Sequence, residues 1–395
     1  MQSRLRKTRG ENPQTERAHL TAMNFVLAAG GTGGHLFPGL AVGEVLLARG
    51  HAVMLLISEK EIDSLATQGR ADFRIERVRG VGLAGKSPLA LLRFWSQFRT
   101  GLNQVKALFR EFSPSAVLGM GGFTSTAPIL AGRSRGIPTF VHESNAIPGK
   151  ANKLNARLVT RVLLGFADCA KFFTPGKCEV TGTPIRRTLV ERIPKAQAVE
   201  AFGLAPDRRT LLVMGGSQGA RGINNAVVEA LPQLRAKPVQ FIHLTGRDDE
   251  QTVREKYAQA RVPAFVAPFW HQMETAYSAA DFCIARSGAA SLTELSHFAL
   301  PSVLIPYPFA ADDHQTANAR IFEQVNAAVL LPQNAISGHL LAAQIMRFID
   351  EPAYLSEMSA RCAALAPKDA AARVADVVLK ACAPLNPQPS TLNPA

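Results

Sequence analysis

The sequence predicts an α/β protein made of two doubly wound domains in tandem. The chain has 395 residues and is 47% hydrophobic, so it is too long for one ordinary domain and apolar enough to bury two cores. A strand that begins at Asn24 is followed by a glycine-rich loop and a helix, and the same series starts again at Thr210. The strands are apolar on both sides, as in parallel sheets that are covered by helices on both faces.

Each half supplies short apolar runs bounded by turn residues, which we interpret as the strands of its sheet. In the first half these runs are 25–29, 52–57, 116–119 and 138–141, and a helix is predicted over 35–49. In the second half they are 210–214, 239–244, 264–267, 282–285 and 302–305. Helical stretches separate the runs, so both sheets are expected to be parallel.

Composition along the chain predicts the domain boundaries. The segment 183–209 is rich in Pro, Arg and Lys and lacks a sustained strand, so we expect a first domain over 23–183 and a second over 184–367, with a hinge near Pro184. A final helix is predicted over 368–382. The ends, 1–22 and 383–395, are predicted to be disordered tails, the second because its four prolines prevent a regular element.

Cysteine spacing and charge exclude several classes of protein. The five cysteines form no CxxC pair and are odd in number, so neither a zinc site nor a disulfide framework is expected. No apolar segment follows the N-terminal cations, so a secretory signal is not expected. The net charge is +13, and residues 1–183 carry 24 Lys+Arg against 12 Asp+Glu. The basic half predicts an anionic partner, which can be a nucleic acid, an acidic membrane surface or a diphosphate-bearing substrate.

Glycine-rich loops follow the first strand of each half. Residues 30–35 are GGTGGH and residues 215–220 are GGSQGA. Glycines let the backbone turn sharply and bring its N–H groups close to an anion at the positive end of the next helix. Ligands of doubly wound folds bind at the carboxyl ends of the strands, so we expect the two loops to face each other across a cleft. The structural alternative is a tight turn that binds nothing.

A third cluster, RSGAASLTE at 286–294, also lies between a strand and a helix. Its small residues expose backbone N–H groups to a phosphate, and Glu294 is placed to accept hydrogen bonds from a pair of sugar hydroxyls. The alternative is that Glu294 caps its helix in an S-x-x-E pattern.

A nicotinamide-binding oxidoreductase is the alternative from a different class. Its GxGxxG fingerprint, counted from Gly31, would need a glycine where Leu36 stands, so the match is incomplete. Glu59 lies near the end of the second strand, where a ribose-binding acid would be, but 59–61 is better explained as a solvated charge cluster. Hydride transfer is therefore kept as the minor alternative.

Five separated motifs together resemble the MurG family of peptidoglycan glycosyltransferases. They are GGTGGH, the following LFPG at 36–39, HESN at 142–145, GGSQGA, and RSGA with Thr293 and Glu294. The resemblance runs in order from about Asn24 to Ala381. It implies the GT-B fold, in which two Rossmann-like domains face each other across a cleft. It also implies transfer of N-acetylglucosamine from UDP-N-acetylglucosamine to lipid I, the undecaprenyl-diphosphate-linked muramyl-pentapeptide, which gives lipid II.

The same resemblance implies a donor site mainly in the second domain and an acceptor site in the first, with the last helix crossing back to the first domain. Phe269 and Met273 resemble residues of the uracil pocket. Two residues depart from the family pattern: Ser144 stands in place of a usual Gln, and His314 stands where some members have a second Gln. The implied donor-binding residues are Thr32, Gly33, Gly34, Asn145, Arg186, Ser217, Ala289, Ala290, Ser291, Leu292, Thr293, Glu294 and Gln315.

The implied reaction converts an α-linked donor into a β-1,4 product, so the configuration inverts. A single displacement is then sufficient, with one general base and no covalent nucleophile. His35 is predicted to be that base because imidazole titrates near neutrality, and Glu143 is its rival. The alternative for His35 is a hydrogen bond to the diphosphate or a cap on its own helix.

Neither a metal nor another cofactor is expected. Asp312 and Asp313 are adjacent and do not form the Asp-x-Asp pair of metal-dependent transferases. We expect Arg186, Ser217 and helix N-termini to stabilise the negative charge on the departing UDP.

Residues 87–112 are predicted to form a helix with one apolar face. The stripe of that face, Leu91, Trp95, Phe98, Leu102, Val105, Phe109 and Phe112, is expected to pack on its own sheet, with Trp95 in the core. Apolar residues and cations that lie off that stripe are predicted to contact an anionic membrane surface. They are Val81, Leu83, Lys86, Leu89, Arg93 and Phe94. The most apolar uncharged stretch, 325–346, is too polar for a membrane span, and the cations lack a nucleic-acid-binding motif.

The sequence thus predicts an inverting glycosyltransferase of peptidoglycan and cell-wall synthesis, peripheral to the cytoplasmic face of the cell membrane. The alternative of the same class is a GT-B enzyme that transfers a sugar from a UDP donor to diacylglycerol. The alternatives of other classes are an NAD(P)-dependent oxidoreductase and a sensor that binds UDP-N-acetylglucosamine without turnover.

Overall fold

The computed structural model describes residues 22–59, 67, 69–78, 87–216 and 219–382. These residues form two parallel β-sheets, one of seven strands and one of six, each flanked by helices. The predicted α/β architecture of two doubly wound domains is confirmed. The predicted tails lie outside the described residues, except for residue 22.

The first sheet is built around β1 and has the strand order β3-β2-β1-β4-β5-β6-β7. Its strands are β1 (Asn24–Ala28), β2 (Ala52–Ile57), β3 (Arg74–Arg77), β4 (Ala116–Gly119), β5 (Thr139–Glu143), β6 (Arg161–Leu164) and β7 (Cys178–Val180). Strands β3, β6 and β7 were not predicted from the sequence, and β3 and β7 are short edge strands with charged residues. The order reverses between β1 and β4, so a crevice opens at the carboxyl ends of these two strands.

Helices of the first domain cover both faces of this sheet. They are α1 (Gly33–Ala48), α2 (Pro88–Phe112), α3 (Thr126–Arg133) and α4 (Lys150–Asn155), with 3₁₀ turns at Phe123–Ser125 and Ala167–Phe172. Helix α1 lies close to the sheet because it carries two glycines there: a Cβ on Gly39 would lie 2.5 Å from Ala29, just after β1, and one on Gly43 would lie 3.2 Å from Leu27 of β1. The close packing holds the first glycine loop, which precedes α1, at the end of β1.

The second sheet repeats this plan around β8, with the order β10-β9-β8-β11-β12-β13. Its strands are β8 (Arg209–Met214), β9 (Val239–Leu244), β10 (Ala264–Ala267), β11 (Phe282–Ala285), β12 (Ser302–Leu304) and β13 (Ala328–Leu330). Its helices are α5 (Lys195–Glu200), α6 (Arg221–Leu234), α7 (Glu250–Ala260), α8 (Met273–Ala279), α9 (Ala289–His297), α10 (His314–Gln324), α11 (Gly338–Asp350) and α12 (Pro352–Ala364), with 3₁₀ turns at Arg187–Leu189 and Ala311–Asp313. The second crevice lies between β8 and β11.

The last helix, α13 (Ala370–Cys382), packs against the first domain. Its Val374 and Val378 are buried in the same cluster as Phe25 of β1. An ion pair of 2.6 Å joins Asp376 to Arg49, just after α1. The chain therefore crosses between the domains twice, and the two crossings touch, since a Cβ on Gly182 would overlap Pro367.

Helix α2 corrects one expectation about the core. Val105 and Phe109 are buried against the sheet as the apolar stripe predicts. Leu91 and Trp95 of the same stripe are 39% and 60% exposed, so the predictions that Leu91 packs on the sheet and that Trp95 lies in the core are wrong. The helix has 25 residues and rises about 37 Å, whereas a strand of six residues spans about 20 Å, so part of α2 extends beyond the sheet. The exposure of Leu89, Leu92 and Trp95 shows that this part is its first turns. None of the helices in the described part of the chain is long and apolar enough to cross a membrane.

Candidate functional site

The first glycine loop places His35 at the carboxyl end of β1. Helix α1 starts at Gly33, and Gly34 and His35 continue its first turn. The Thr32 hydroxyl lies 3.3 Å from His35 Nδ1 and makes no cap to the helix backbone. The imidazole also packs against Gly121, where a Cβ would lie only 2.8 Å from Nε2. The ring of the predicted base is therefore held between Thr32 and a second glycine segment.

That second segment, Gly121 and Gly122 after β4, is a part of the site that the sequence analysis missed. Both residues have positive φ, 115° and 71°, which side chains other than glycine rarely tolerate. The Thr124 hydroxyl donates to the Gly30 carbonyl over 2.9 Å. The segment therefore supports the first glycine loop from the neighbouring strand. Its signal was present in the sequence as G-M-G-G at the end of a predicted strand.

The carboxylate of Glu143, at the end of β5, is occupied by its own loop. Oε1 accepts from the backbone N–H and the side-chain Nδ2 of Asn145, at 2.9 and 3.0 Å. Oε2 accepts from the Gly149 N–H at 3.0 Å and from Asn152 Nδ2 at 2.8 Å. A carboxylate offers about four lone-pair sites. These donors therefore leave little capacity for taking a proton from a substrate.

His142, the preceding residue, is buried and contacts the connection between the domains. Burial lowers the pKa of His142. A neutral ring with its proton on Nε2 can donate to the Gly182 carbonyl, which is 3.0 Å away. The Ser144 hydroxyl lies 3.3 Å from Nδ1, so this departure from the family pattern supplies a partner for the buried ring.

The loop after β5 also reaches the second domain through Asn318 of α10. This buried side chain accepts from the Ala146 N–H at 2.8 Å and donates to Asn145 Oδ1 at 3.0 Å. It also donates to the Ser287 carbonyl, 3.0 Å away, just after β11. One amide thus joins the carboxyl edges of the two sheets and holds Asn145 at the domain junction.

Glu294 lies on α9 at the same junction. Its side chain is 13% exposed, and burial raises the pKa of its carboxyl group. Tyr277 donates to Oε2 over 2.7 Å, and Oε1 lies 3.8 Å from Arg186 Nη2. The helix begins at Ala289, so Glu294 is its sixth residue and lies beyond the first turn, and its carboxylate accepts from Tyr277; the alternative that Glu294 caps the helix is therefore wrong.

Arg186 connects Glu294 with the first domain. Its guanidinium lies over the ring of Phe37, 4.4 Å from the centroid, and Phe37 follows His35 by two residues on α1. The Arg186 Nε is buried and has no hydrogen-bond partner among the described residues. A planar cation with an unused donor suits an anionic ligand bound between α1 and α9.

The second glycine loop is described in part. The predicted donor residue Ser217 lies outside the described residues, as does Gln218. Gly216 and Gly219 have positive φ of 90° and 73°. A Cβ on Gly219 would overlap the Thr245 carbonyl, so the loop lies directly against the turn after β9. It leads into α6 and presents the N-terminus of that helix at the end of β8.

The predicted uracil-pocket residues lie at α8 and the turn before it. Met273 begins α8 and precedes Tyr277 by four residues, so one helix carries both the pocket residue and the partner of Glu294. Phe269, on the preceding turn, is half exposed. The predicted base pocket and ribose acid are therefore close to each other.

The remaining predicted donor residues lie around the start of α9. Residues 289–293 form its first turns, with backbone N–H groups available at the N-terminus. The Gln315 carbonyl accepts from the Ser287 hydroxyl at 2.8 Å, and Gln315 Oε1 accepts from the Tyr307 N–H at 2.9 Å. His314 is bonded to the Ala311 carbonyl in its own turn. Gln315 is thus held beside α9 by its backbone and its side chain.

The predicted membrane patch is also described in part. Leu89 and Arg93 are exposed and Phe94 is half-buried on the first turns of α2. Val81, Leu83 and Lys86 lie outside the described residues. The structure adds Leu92, which is 69% exposed, and Trp95, which the sequence analysis assigned to the core.

Two family models match the chain in order. The glycosyltransferase family 28 N-terminal domain matches residues 25–164, and the glycosyltransferase family 28 C-terminal domain matches residues 210–374. Together they span more than half of the chain, and the matches follow the division into two sheets.

Similar proteins agree with these matches. The chain is 38% identical over 358 residues to the UDP-N-acetylglucosamine--N-acetylmuramyl-(pentapeptide) pyrophosphoryl-undecaprenol N-acetylglucosamine transferase of Geotalea uraniireducens (strain Rf4), which covers 90% of this chain and 97% of that protein. The protein of the same name from Syntrophus aciditrophicus (strain SB) is 37% identical over 362 residues, with 90% and 97% covered. The crystal structure of Acinetobacter baumannii MurG matches with a TM-score of 0.73 and 27% identity, covering 91% of this chain and 99% of that one. With two cleft-forming sheets, both family models and relatives of this extent, the chain belongs to the MurG family of GT-B enzymes within glycosyltransferase family 28.

Proposed function

We propose that this glycosyltransferase moves N-acetylglucosamine from UDP-N-acetylglucosamine to the muramyl C4 hydroxyl of lipid I and forms lipid II for peptidoglycan synthesis. Both substrates are contained in the names of the relatives from Geotalea uraniireducens and Syntrophus aciditrophicus, which supports this proposal. The observation that carries the proposal is the pair of Glu294 and Arg186 at the domain junction, 3.8 Å apart. An acid that can accept from sugar hydroxyls and a cation that can bind a diphosphate there suit a nucleotide-sugar.

The donor lies mainly on the second domain in this proposal. Glu294 accepts hydrogen bonds from the ribose hydroxyls, and Met273 and Phe269 line the site of the uracil ring. The N-terminus of α9 and the loop that contains Ser217 face the diphosphate, because helix N-termini bind anions. Asn145, Gln315 and the loop of Thr32, Gly33 and Gly34 complete the pocket from both sides of the junction.

His35 is the general base of the proposal. It removes the proton from the muramyl hydroxyl while that oxygen bonds to C1 of the sugar and the bond from C1 to the diphosphate oxygen breaks. Configuration at C1 inverts and UDP leaves as an anion. His35 is preferred over Glu143 because the Glu143 carboxylate already accepts four hydrogen bonds from its own loop.

The charge on departing UDP is stabilised by this chain's own groups, without a metal or other cofactor. Arg186 and the backbone N–H groups at helix N-termini are fixed in place before the reaction, which makes such donors effective. We expect full activity after EDTA treatment and gel filtration. Strict dependence on added Mg²⁺ would contradict this part of the proposal.

An acceptor comparison tests the proposed reaction. Purified protein is incubated with radiolabelled UDP-N-acetylglucosamine and either lipid I or diacylglycerol, and we expect label in lipid II alone. Label in diacylglycerol would favour the same-class alternative. Binding of the donor with no transfer would favour the sensor, and binding of NADH with no affinity for UDP would favour the oxidoreductase.

The exposed start of α2 is proposed to bind the anionic, cytoplasmic surface of the cell membrane, where an undecaprenyl-linked acceptor resides. Leu89, Leu92 and Trp95 are exposed beside Arg93, and each cation near an anionic bilayer contributes about 1 kcal/mol. The double substitution Leu92→Glu/Trp95→Glu should abolish flotation with anionic vesicles. Leu340→Glu, an exposed leucine of the second domain, is the matched control. Unchanged flotation of the double variant would reject this surface.

A further inference from the structure

Tyr277 is a buried tyrosine whose hydroxyl reaches the carboxylate of Glu294. It is 2% exposed, and its ring packs against Phe298 with the centroids 5.1 Å apart. The hydroxyl donates to Glu294 Oε2 over 2.7 Å and lies 3.7 Å from Met214 Sδ. Because a thioether is a weak acceptor, the carboxylate is the strong partner of this hydroxyl.

The two oxygens of Glu294 therefore have different neighbours. Oε2 is bonded to Tyr277, and Oε1 lies 3.8 Å from Arg186. The terminal torsion of a glutamate has a broad distribution, so a carboxylate without a fixed partner can rotate about its last bond. The Tyr277 hydroxyl restricts that rotation. This one hydrogen bond leaves lone pairs on both Glu294 oxygens available for a ligand, since each oxygen can accept about two hydrogen bonds.

We propose that Tyr277 is a positioning residue that holds the Glu294 carboxylate in the orientation needed to accept hydrogen bonds from both ribose hydroxyls of a uridine diphosphate donor. This inference rests on the proposed function, because it takes Glu294 as the ribose-binding group. Tyr277 acts through Glu294 and does not touch the nucleotide itself.

Helix α8 makes this role relevant to two parts of the donor. Met273 precedes Tyr277 by four residues, so both side chains lie on the same side of the helix. One short segment thus supports the proposed base pocket and orients the ribose acid. A uridine nucleotide with both ribose hydroxyls can fill the base pocket and donate both hydrogen bonds to Glu294. A 2′-deoxy nucleotide leaves one acceptor of a fixed carboxylate without its partner, which lowers affinity.

Calorimetric titration with UDP and with 2′-deoxy-UDP tests the role. We expect the wild-type protein to bind UDP about tenfold more tightly than 2′-deoxy-UDP. Tyr277→Phe should weaken UDP binding about tenfold and change the affinity for 2′-deoxy-UDP by less than about threefold. The preference for the ribonucleotide is then lost, which a purely structural role of the hydroxyl would not cause.

Tyr257→Phe is the matched control for removing a buried tyrosine hydroxyl. Tyr257 lies on α7, is 3% exposed, and has its hydroxyl 3.1 Å from His243 Nδ1, in the core on the other side of the second sheet. This variant should lower the melting temperature and keep the preference for UDP. Loss of the preference in both variants would show a general loosening of the domain and would overturn the inference.

The pH dependence of UDP binding gives a second readout. Ionised Glu294 binds the diol, so affinity falls as the pH drops through the pKa of this carboxyl group, which burial raises and the Tyr277 hydrogen bond lowers. Tyr277→Phe should therefore move the midpoint of the acid limb to higher pH, while Tyr257→Phe leaves it in place.

The outcomes separate the inference from the function on which it rests. A Tyr277→Phe variant that keeps both the wild-type preference and the wild-type acid limb overturns the positioning role. If the wild-type protein and Glu294→Gln both bind UDP and 2′-deoxy-UDP equally well, the proposed donor site itself is wrong.

Discussion

The two glutamates at the domain junction have the same side chain and opposite surroundings. Glu143, after β5, accepts four hydrogen bonds from its own loop. Glu294, on α9, accepts one hydrogen bond among the described residues, from the Tyr277 hydroxyl, and its other oxygen lies 3.8 Å from Arg186. A carboxylate that is satisfied inside its own domain can order a loop, and one that is left incomplete at a cleft can bind a ligand. From this difference we expect Glu143 to serve the structure of the first domain and Glu294 to bind a ligand in the second.

Replacing His35 is the strongest way to break this comparison. If Glu143 serves structure, His35 is the base, and His35→Ala should lower kcat by about 10²–10⁴ while the Kd for UDP changes by less than about twofold. Steady-state kinetics with lipid I and calorimetry measure the two effects. His339→Ala, an exposed histidine on α11, is the control and should keep wild-type kinetics. A His35→Ala variant with more than about one-tenth of wild-type kcat would return the role of base to Glu143.

Glutamine substitutions at the two acids compare them directly. In Glu143→Gln an amide NH₂ faces two of the existing donors, so we expect the free energy of unfolding to fall by about 2–3 kcal/mol. Glu294→Gln should change it by about 0.5 kcal/mol or less, because burial already disfavours that charge. Urea denaturation of both variants decides the matter. A Glu143→Gln variant with wild-type stability and no turnover would mean that Glu143 is a catalytic residue.

Gly121→Ala sharpens the first half of the comparison, because it tests whether the backbone holds the His35 ring. A Cβ at Gly121 would lie 2.8 Å from Nε2 and must displace the imidazole. We expect kcat to fall about tenfold, in addition to about 1 kcal/mol of backbone strain. Gly50→Ala has a similar positive φ, 84°, with open space around the Cβ, so it should lose stability alone. Equal kcat values for the two variants would show that the contact with His35 is unimportant.

The smallest expected effect is on the pH dependence of stability. The pKa of Glu294 is raised in the folded protein, so the folded state binds this proton more tightly than the unfolded chain. Stability therefore increases as the pH falls from neutrality toward the ordinary range of a glutamate. In Glu294→Gln this increase should be reduced, by less than about 1 kcal/mol. Thermal melting across that range measures it, and identical pH profiles would contradict the raised pKa.

Local pattern in the sequence predicted most of the fold. The runs at 52–57 and 282–285 coincide with β2 and β11, because buried parallel strands are apolar on both faces. The strand β3 was missed because it reads RIER and takes its place by pairing with β2 at the sheet edge. Trp95 was assigned to the core because periodicity shows which face of a helix is apolar and does not show where the sheet beneath it ends.

The candidate site was predictable in its residues and less so in their roles. Glu143 and Glu294 were both found from motifs, but the donors to Glu143 include Asn152, nine residues later, and the hydroxyl that bonds Glu294 comes from α8. The contact between Asn318 and Asn145 joins residues 173 apart in the chain. Such contacts depend on tertiary packing, which no local pattern contains.

The return of α13 to the first domain restricts how the enzyme can open. A pair of bodies joined by one flexible segment can twist and tilt in any direction, whereas here two segments connect them and meet at Gly182 and Pro367. Adjacent attachments of this kind allow rotation about an axis near that contact and oppose separation. We therefore expect the sugar nucleotide to bind and UDP to leave through one domain rotation about that axis. The edge of the cleft farthest from the axis should move most.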